Sequence, residues 1–166
     1  ALLPLHALRN AYPDLYAAQM KKYQGREAIL DRPMPELGCR WGDCVLFSPV
    51  HPLEIRAAFD EAGHEWPANG IRFLALDPVR AGFSADNTAV WLYENTSKTS
   101  DMASPKPDVI PYTLARIAEL GSLPDRTRAY LRRKKAAGQR PLFFIGIPHV
   151  LHRGSVALNK MEELAV

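Results

Sequence analysis

From Pro141 to Val150 the chain is almost unbroken apolar sequence, and two imidazoles, a guanidinium and a second glycine follow or interrupt its end in His149, His152, Arg153 and Gly154. A run of this composition must be hidden from water, yet it falls well short of the roughly 20 apolar residues that a membrane-spanning helix requires. It reads as a buried strand over 142–147, with chemically versatile groups just past the strand end, where sites are commonly built. The fold must therefore supply a core for the apolar segment and a surface, or a cleft, for the imidazoles and guanidinium at its end.

The rest of the composition allows such a core. The chain has 166 residues, 47% apolar and 23% charged, the balance of one globular domain spanning residues 1–166 rather than of a disordered or membrane protein. The N-terminal Ala1-Leu2-Leu3-Pro4-Leu5 lacks the basic flank of a secretory signal, so the expected location is the cytoplasm, although a removed signal leaves no trace. Two cysteines, Cys39 and Cys44, exclude a disulfide framework and read as reduced thiols. No CxxC or HxxxH spacing completes a zinc site, and no residue pattern names a cofactor. Asn95-Thr96-Ser97 forms a sequon within a polar loop.

Hydrophobic spacing, prolines and glycines divide the chain. Residues 1–32 read as helical, with Pro13 in a first turn, Leu15, Tyr16, Met20 and Tyr23 at helical spacing, and Gly25 as a break. Pro33 and Pro35 then impose an extended connection. A short buried strand is expected over 44–48, followed by a helix over 52–62 that opens on Pro52 and stops at Gly63. Further strands are expected over 71–76 and 88–94, a loop that could serve as a lid over 95–108, helices over 111–120 and 124–137, and strands over 142–147, 155–158 and 163–166. This order is neither a series of βαβ units nor all-β, and it predicts a single α+β domain with a mixed, mainly antiparallel sheet, N-terminal helices and a central helical pair.

Charge is uneven. Between Leu123 and Arg140, Arg126, Arg128, Arg132, Arg133, Lys134, Lys135 and Arg140 face Asp125 alone, a local excess of six, so the rest of a chain of net charge +3 sums to minus three. Such a helix could hold phosphate groups through its guanidinium forks, or simply be a solvated face. Tyr130 is its one aromatic residue, which makes a nucleic-acid platform possible but not favoured.

The residues best suited to proton transfer are His149, His51 and His152, each near the end of an expected strand. His149 and His152 would point to opposite faces of a strand; only a turn after Pro148 would bring both into one cleft. His51 lies in Ser48-Pro49-Val50-His51-Pro52, a stiff connection at a helix N-terminus, where an anion is favoured. Ser48, Arg153, Arg132 and Tyr112 are the accompanying candidates for substrate binding. No P-loop or GxGxxG is present, no GxSxG elbow supports covalent catalysis, and no metal site is expected.

These residues predict a small enzyme that binds an anionic or phosphate-bearing small molecule and uses histidine as general acid or base. The strand, proline loop, helix and glycine from Val45 to Gly63, with the later short strands and strand pair, resemble in element order the split β-sheet of NAD-dependent ADP-ribosyltransferases. That resemblance implies a transferase activity but transfers no functional residue, since the family's acidic residue has no counterpart here. The competing expectation is a non-enzymatic module whose basic helix binds nucleic acid or an acidic partner. Apolar C-terminal strands are also compatible with a homo-oligomer.

Overall fold

A computed structural model describes residues 1–67, 70–93 and 108–166 of the chain. The expected lid over 95–108, apart from Asp108, the sequon and the end of the strand at Glu94 lie outside the described residues. The fold is α+β, as the element order predicts, and every strand pairing among the described residues is antiparallel.

The first helices, α1 (Leu5–Ala11) and α2 (Pro13–Met20), meet at Tyr12 because Pro13 has no N–H with which to continue α1. Leu8 buries one face of α1, whereas α2 buries no residue at all and leaves Leu15 exposed. Its helical spacing thus marks no buried stripe, and only Met20 at its end packs, half-buried, against the core. Pro33 is extended as expected, in β1 (Pro33–Met34), but Pro35 opens a 3-10 turn, Pro35–Leu37, that leads to β2 (Cys39–Arg40), with which β1 forms a small hairpin.

The strand β3 (Cys44–Phe47) leads through the proline loop into α3 (Pro52–Glu61), whose bounds match the sequence expectation closely. Pro52 occupies the first helical position. Past the other end, Gly63 takes φ 73°, its N–H bonds to Asp60 O at 2.9 Å, and the His64 N–H bonds to Phe59 O at 2.9 Å. These paired bonds close the last turn in a left-handed conformation that costs glycine little.

After β4 (Phe73–Leu76) comes a short helix that the sequence pattern does not announce, α4 (Pro78–Ala81), started by Asp77, whose Oδ1 accepts from the N–H groups of Val79 and Arg80 at 2.9 and 3.2 Å. Next are β5 (Thr88–Trp91), buried at all four positions, and β6 (Val109–Pro111), which replaces the start of the helix expected at Pro111. That helix, α5 (Leu114–Glu119), begins only after Thr113, whose Oγ1 accepts the Arg116 N–H at 3.1 Å. The basic helix α6 (Asp125–Ala136) runs as expected, and the chain closes with β7 (His149–Arg153) and β8 (Met161–Leu164).

The four-stranded sheet has the order β3-β7-β5-β6, and β4 with β8 forms a separate two-stranded ribbon. Where a strand was expected over 155–158, only a bridge between Leu2 and Val156 forms.

The apolar run at 142–147 is not a strand, and only its second half, from Ile145 to Ile147, is buried, while Leu142 and Phe144 stay exposed. Gly146 turns the chain at φ 75° and Pro148 comes two residues later, so the ladder starts only at His149. The backbone groups of this turn find partners on α6 instead: Tyr130 Oη accepts the Leu142 N–H at 2.9 Å, Thr127 Oγ1 donates to Ile145 O at 3.1 Å, and Arg126 Nε donates to Gly146 O at 2.8 Å. Buried polar backbone is thereby satisfied without a neighbouring strand. Phe59, Leu131, Ile147 and Leu151, all almost wholly shielded from solvent, join the turn, α3, α6 and β7 in one core.

Three of the six cationic side chains on α6 are engaged in this construction. Besides Arg126, which also donates to Leu92 O at 2.7 Å, Arg128 pairs with Glu61 at 2.6 Å and Lys135 donates to Gly63 O, tying α6 to the end of α3.

Candidate functional site

A cleft of about 390 Å³ opens between the β3 edge of the main sheet and the β4–β8 ribbon. Its floor is the loop from Ser48 to Pro52 with Ile55 of α3; Phe73 to Leu76 and Leu164 form the ribbon wall, and Phe83, Tyr112, Ile117 and Phe144 close the remainder. Of the candidates expected from the sequence, Ser48, His51 and Tyr112 line this space; His149, His152, Arg153 and Arg132 do not.

Ser48 is occupied locally. Its Oγ accepts the Val50 N–H and donates to Val50 O, each at 3.1 Å, so the hydroxyl holds its own turn and buries Val50. His51 is the N-cap of α3: its Nδ1 accepts the Leu53 N–H at 3.2 Å. That bond requires a lone pair on Nδ1 and therefore fixes the proton of the neutral ring on Nε2. The exposed edge of His51 is a donor. The Glu54 N–H is already bonded to His51 O at 3.0 Å and Pro52 has none, so the first turn offers less to an anion than its position in the sequence suggested.

Tyr112 is 6% exposed, and its hydroxyl is buried without a hydrogen-bond partner. Burial, with a smaller contribution from Asp77, raises its pKa above the usual phenol value, so the group remains a protonated donor. A buried donor left unpaired in a cleft wall is a costly feature unless something else accepts its proton.

His152 stands behind this wall. With Val150 it shares one face of β7, and its ring stacks on Phe83 at 4.2 Å between centroids and 9° between planes. Thr88 Oγ1 donates to Asn87 Oδ1 at 2.8 Å and so must accept from His152 Nδ1, 3.0 Å away. Burial foremost, and Arg153 beside it, lower the His152 pKa and keep the ring neutral. The imidazole supports Phe83, which in turn meets Phe47 at 5.5 Å and Tyr112 at 6.2 Å.

His149, three residues earlier, points to the other face, as strand geometry dictates. Its Nδ1 donates to Ile147 O at 2.8 Å, and its ring is surrounded by Trp91, Tyr93 and Phe144. Burial pulls its pKa down to about 4, so at neutral pH it is an uncharged ring in an aromatic setting. The turn after Pro148 that convergence of the two histidines would need does not form.

Arg153 is engaged by backbone: it donates to Leu37 O at 2.8 Å and to Asp86 O at 3.4 Å, joining the β1–β2 hairpin to the loop before β5. Arg132 is exposed on α6. Among the described residues, no group of three or more His, Cys, Asp or Glu side chains is placed to hold a metal ion, and no helix is long and apolar enough to cross a membrane.

The ribbon wall and Phe83 are the parts of the site that sequence reasoning missed. Phe83 comes directly after a glycine in a segment without periodicity, and the pairing of β4 with β8 joins residues some ninety positions apart, which local pattern cannot reveal. One signal was present: Asp77-Pro78 with Gly82 marks a capped turn that positions Phe83 next to the sheet.

Comparison with known protein families, with curated proteins and with solved structures finds no match to the chain.

Proposed function

We propose that the chain binds a small molecule with an apolar body and a single hydrogen-bond-accepting head, a carboxylate or carbonyl, in the cleft between the main sheet and the ribbon. The observation that carries this reading is the unpartnered hydroxyl of Tyr112, a residue of a wall made largely of aliphatic and aromatic side chains; the oxygen is shielded from solvent, so the ligand's head would meet it by a small shift of that wall. A volume of about 390 Å³ suits a ligand of modest size, and a few polar groups on an apolar surface are the usual composition of such sites. The Nε2–H of His51 adds a second donor on the lining.

Among the described residues no Arg or Lys lines the cleft, which favours a carboxylate or carbonyl over the phosphate suggested by the sequence. A dinucleotide would bring its pyrophosphate to the same wall, so the ADP-ribosyltransferase reading is the weaker one. Nucleic-acid binding loses ground too, because Arg126, Arg128 and Lys135 are committed to internal contacts. Of the three imidazoles expected to move protons, His51 alone meets the cleft; while Nδ1 caps α3, its free nitrogen Nε2 serves as a hydrogen-bond donor.

A thermal-shift series tests the proposal, using medium-chain alkyl and aryl carboxylates, the matching alcohols, alkyl phosphates and NAD. Carboxylates should raise the melting temperature most, since a ligand selective for the folded state stabilises it. The shift should shrink in Tyr112→Phe and disappear in Ala75→Phe, which fills the ribbon wall. Stabilisation by phosphates or NAD alone, or a carboxylate shift unchanged in both variants, would overturn it.

A further inference from the structure

Away from the cleft, the two cysteines face one another. Cys39 Sγ and Cys44 Sγ are 3.6 Å apart, and both thiols are free. Their backbones are held by separate ladders, Cys39 opposite Met34 in the hairpin and Cys44 opposite Arg153 in the main sheet, with a tight 3-10 turn, Trp41–Asp43, between them. The approach is therefore built by tertiary pairing and not by a flexible loop. A disulfide needs the sulfurs at about 2.05 Å, a displacement that side-chain rotation with small backbone adjustment supplies.

We infer that Cys39 and Cys44 are a site of reversible two-electron oxidation, closing to an intramolecular disulfide on reaction with a hydroperoxide. The exposures set the order of events. Cys39 is half-buried, while Cys44 is 4% exposed and donates weakly to Arg40 O at 3.8 Å. The Cys39 thiolate attacks the terminal peroxide oxygen, the O–O bond breaks, and the alcohol leaves after taking up a proton, giving a sulfenic acid. The Cys44 sulfur then attacks Cys39 Sγ, forms the S–S bond and expels the sulfenic oxygen as water. One peroxide is reduced, two thiols are oxidised, and the oxygen atoms leave as alcohol and water.

Burial raises the pKa of both thiols, so the reaction should be slow at neutral pH and accelerate in alkali. Closure would stiffen the segment on which α1 is docked, because Asp43 Oδ1 in that turn bonds His6 Nδ1 at 2.8 Å.

Trypsin makes the product easy to recognise. Arg40 lies between the cysteines and Arg32 is protected by Pro33, so the disulfide must join peptide 27–40 to peptide 41–56. The folded chain, treated with hydrogen peroxide, alkylated and digested, should yield that linked pair, remain monomeric on a non-reducing gel, and recover both thiols with dithiothreitol. Cys44→Ser should instead trap a sulfenic acid at Cys39 that dimedone captures, and Cys39→Ser should leave Cys44 unmodified. Circular dichroism of each variant confirms that the fold is kept. The inference fails if the wild-type chain gives sulfinic acid at Cys39 without linked peptides, gives mainly intermolecular dimers, or keeps both thiols.

Discussion

A tyrosine hydroxyl without a partner is a liability in the empty protein and an asset once an acceptor arrives. Tyr112→Phe should leave the unliganded fold as stable as wild type or more stable by about 1 kcal/mol, since removing an unpaired buried donor removes its desolvation cost. The same change should weaken carboxylate binding by roughly tenfold, the worth of one hydrogen bond to a charged group. Calorimetric titration alongside denaturant unfolding separates the two effects. His149 provides a second test at this scale. Its ring is held neutral in the fold, with a pKa of about 4 against 6.5 when unfolded, so between those values the unfolded chain binds more protons and folding stability rises with pH. The contribution is complete above pH 6.5 and is lost as the pH falls toward 4, to a depth of up to roughly 3 kcal/mol. Urea midpoints at about pH 7 and about pH 4.5 should differ less in His149→Asn, which preserves a donor to Ile147 O, than in wild type.

Elements were legible where the signal was local. Pro52 and Gly63 bracket α3 because one supplies a missing N–H and the other a left-handed residue, both properties of single amino acids. The run at 142–147 misled for the opposite reason: its apolar pattern announced burial, which holds for Ile145 to Ile147 but not for Leu142 and Phe144, and could not announce that Thr127, Arg126 and Tyr130 would satisfy its backbone. A turn and a strand look alike when both are hidden and apolar. Within the candidate site, the loop bearing Ser48 and His51 was visible from its prolines, whereas the roles of His149 and His152 depended on strand register. Two substitutions probe the turn. Gly146→Ala should destabilise by about 1–3 kcal/mol, because φ is 75° and the new Cβ would lie 3.0 Å from Thr127 Oγ1. Thr127→Val, similar in shape, should cost about 1–3 kcal/mol by leaving Ile145 O without its donor. Chemical denaturation measures both.

For the molecule as a whole, charge and architecture lead to separate expectations. With no Arg or Lys on the cleft lining among the described residues, carboxylate binding should change less than about threefold between roughly 50 and 500 mM salt, whereas a phosphate-backbone binder would lose affinity by orders of magnitude over a narrower range. The two sides of the cleft also differ in how they are held. β5 is buried along its length at the centre of a four-stranded ladder, while β4 pairs with β8 alone and meets the core through Phe73, which packs with Trp66 and Phe143 at 6.2 Å each. Amides of β4 and β8 should therefore exchange with solvent before those of β5 and β7, and a bound carboxylate should slow the former selectively, as hydrogen-exchange mass spectrometry would register.

A wall attached by ring contacts has an adjustable gape. If the cleft takes the ligand proposed for it, guests of different girth would be admitted by the same residues, and selection would come from the polar head far more than from the outline of the body.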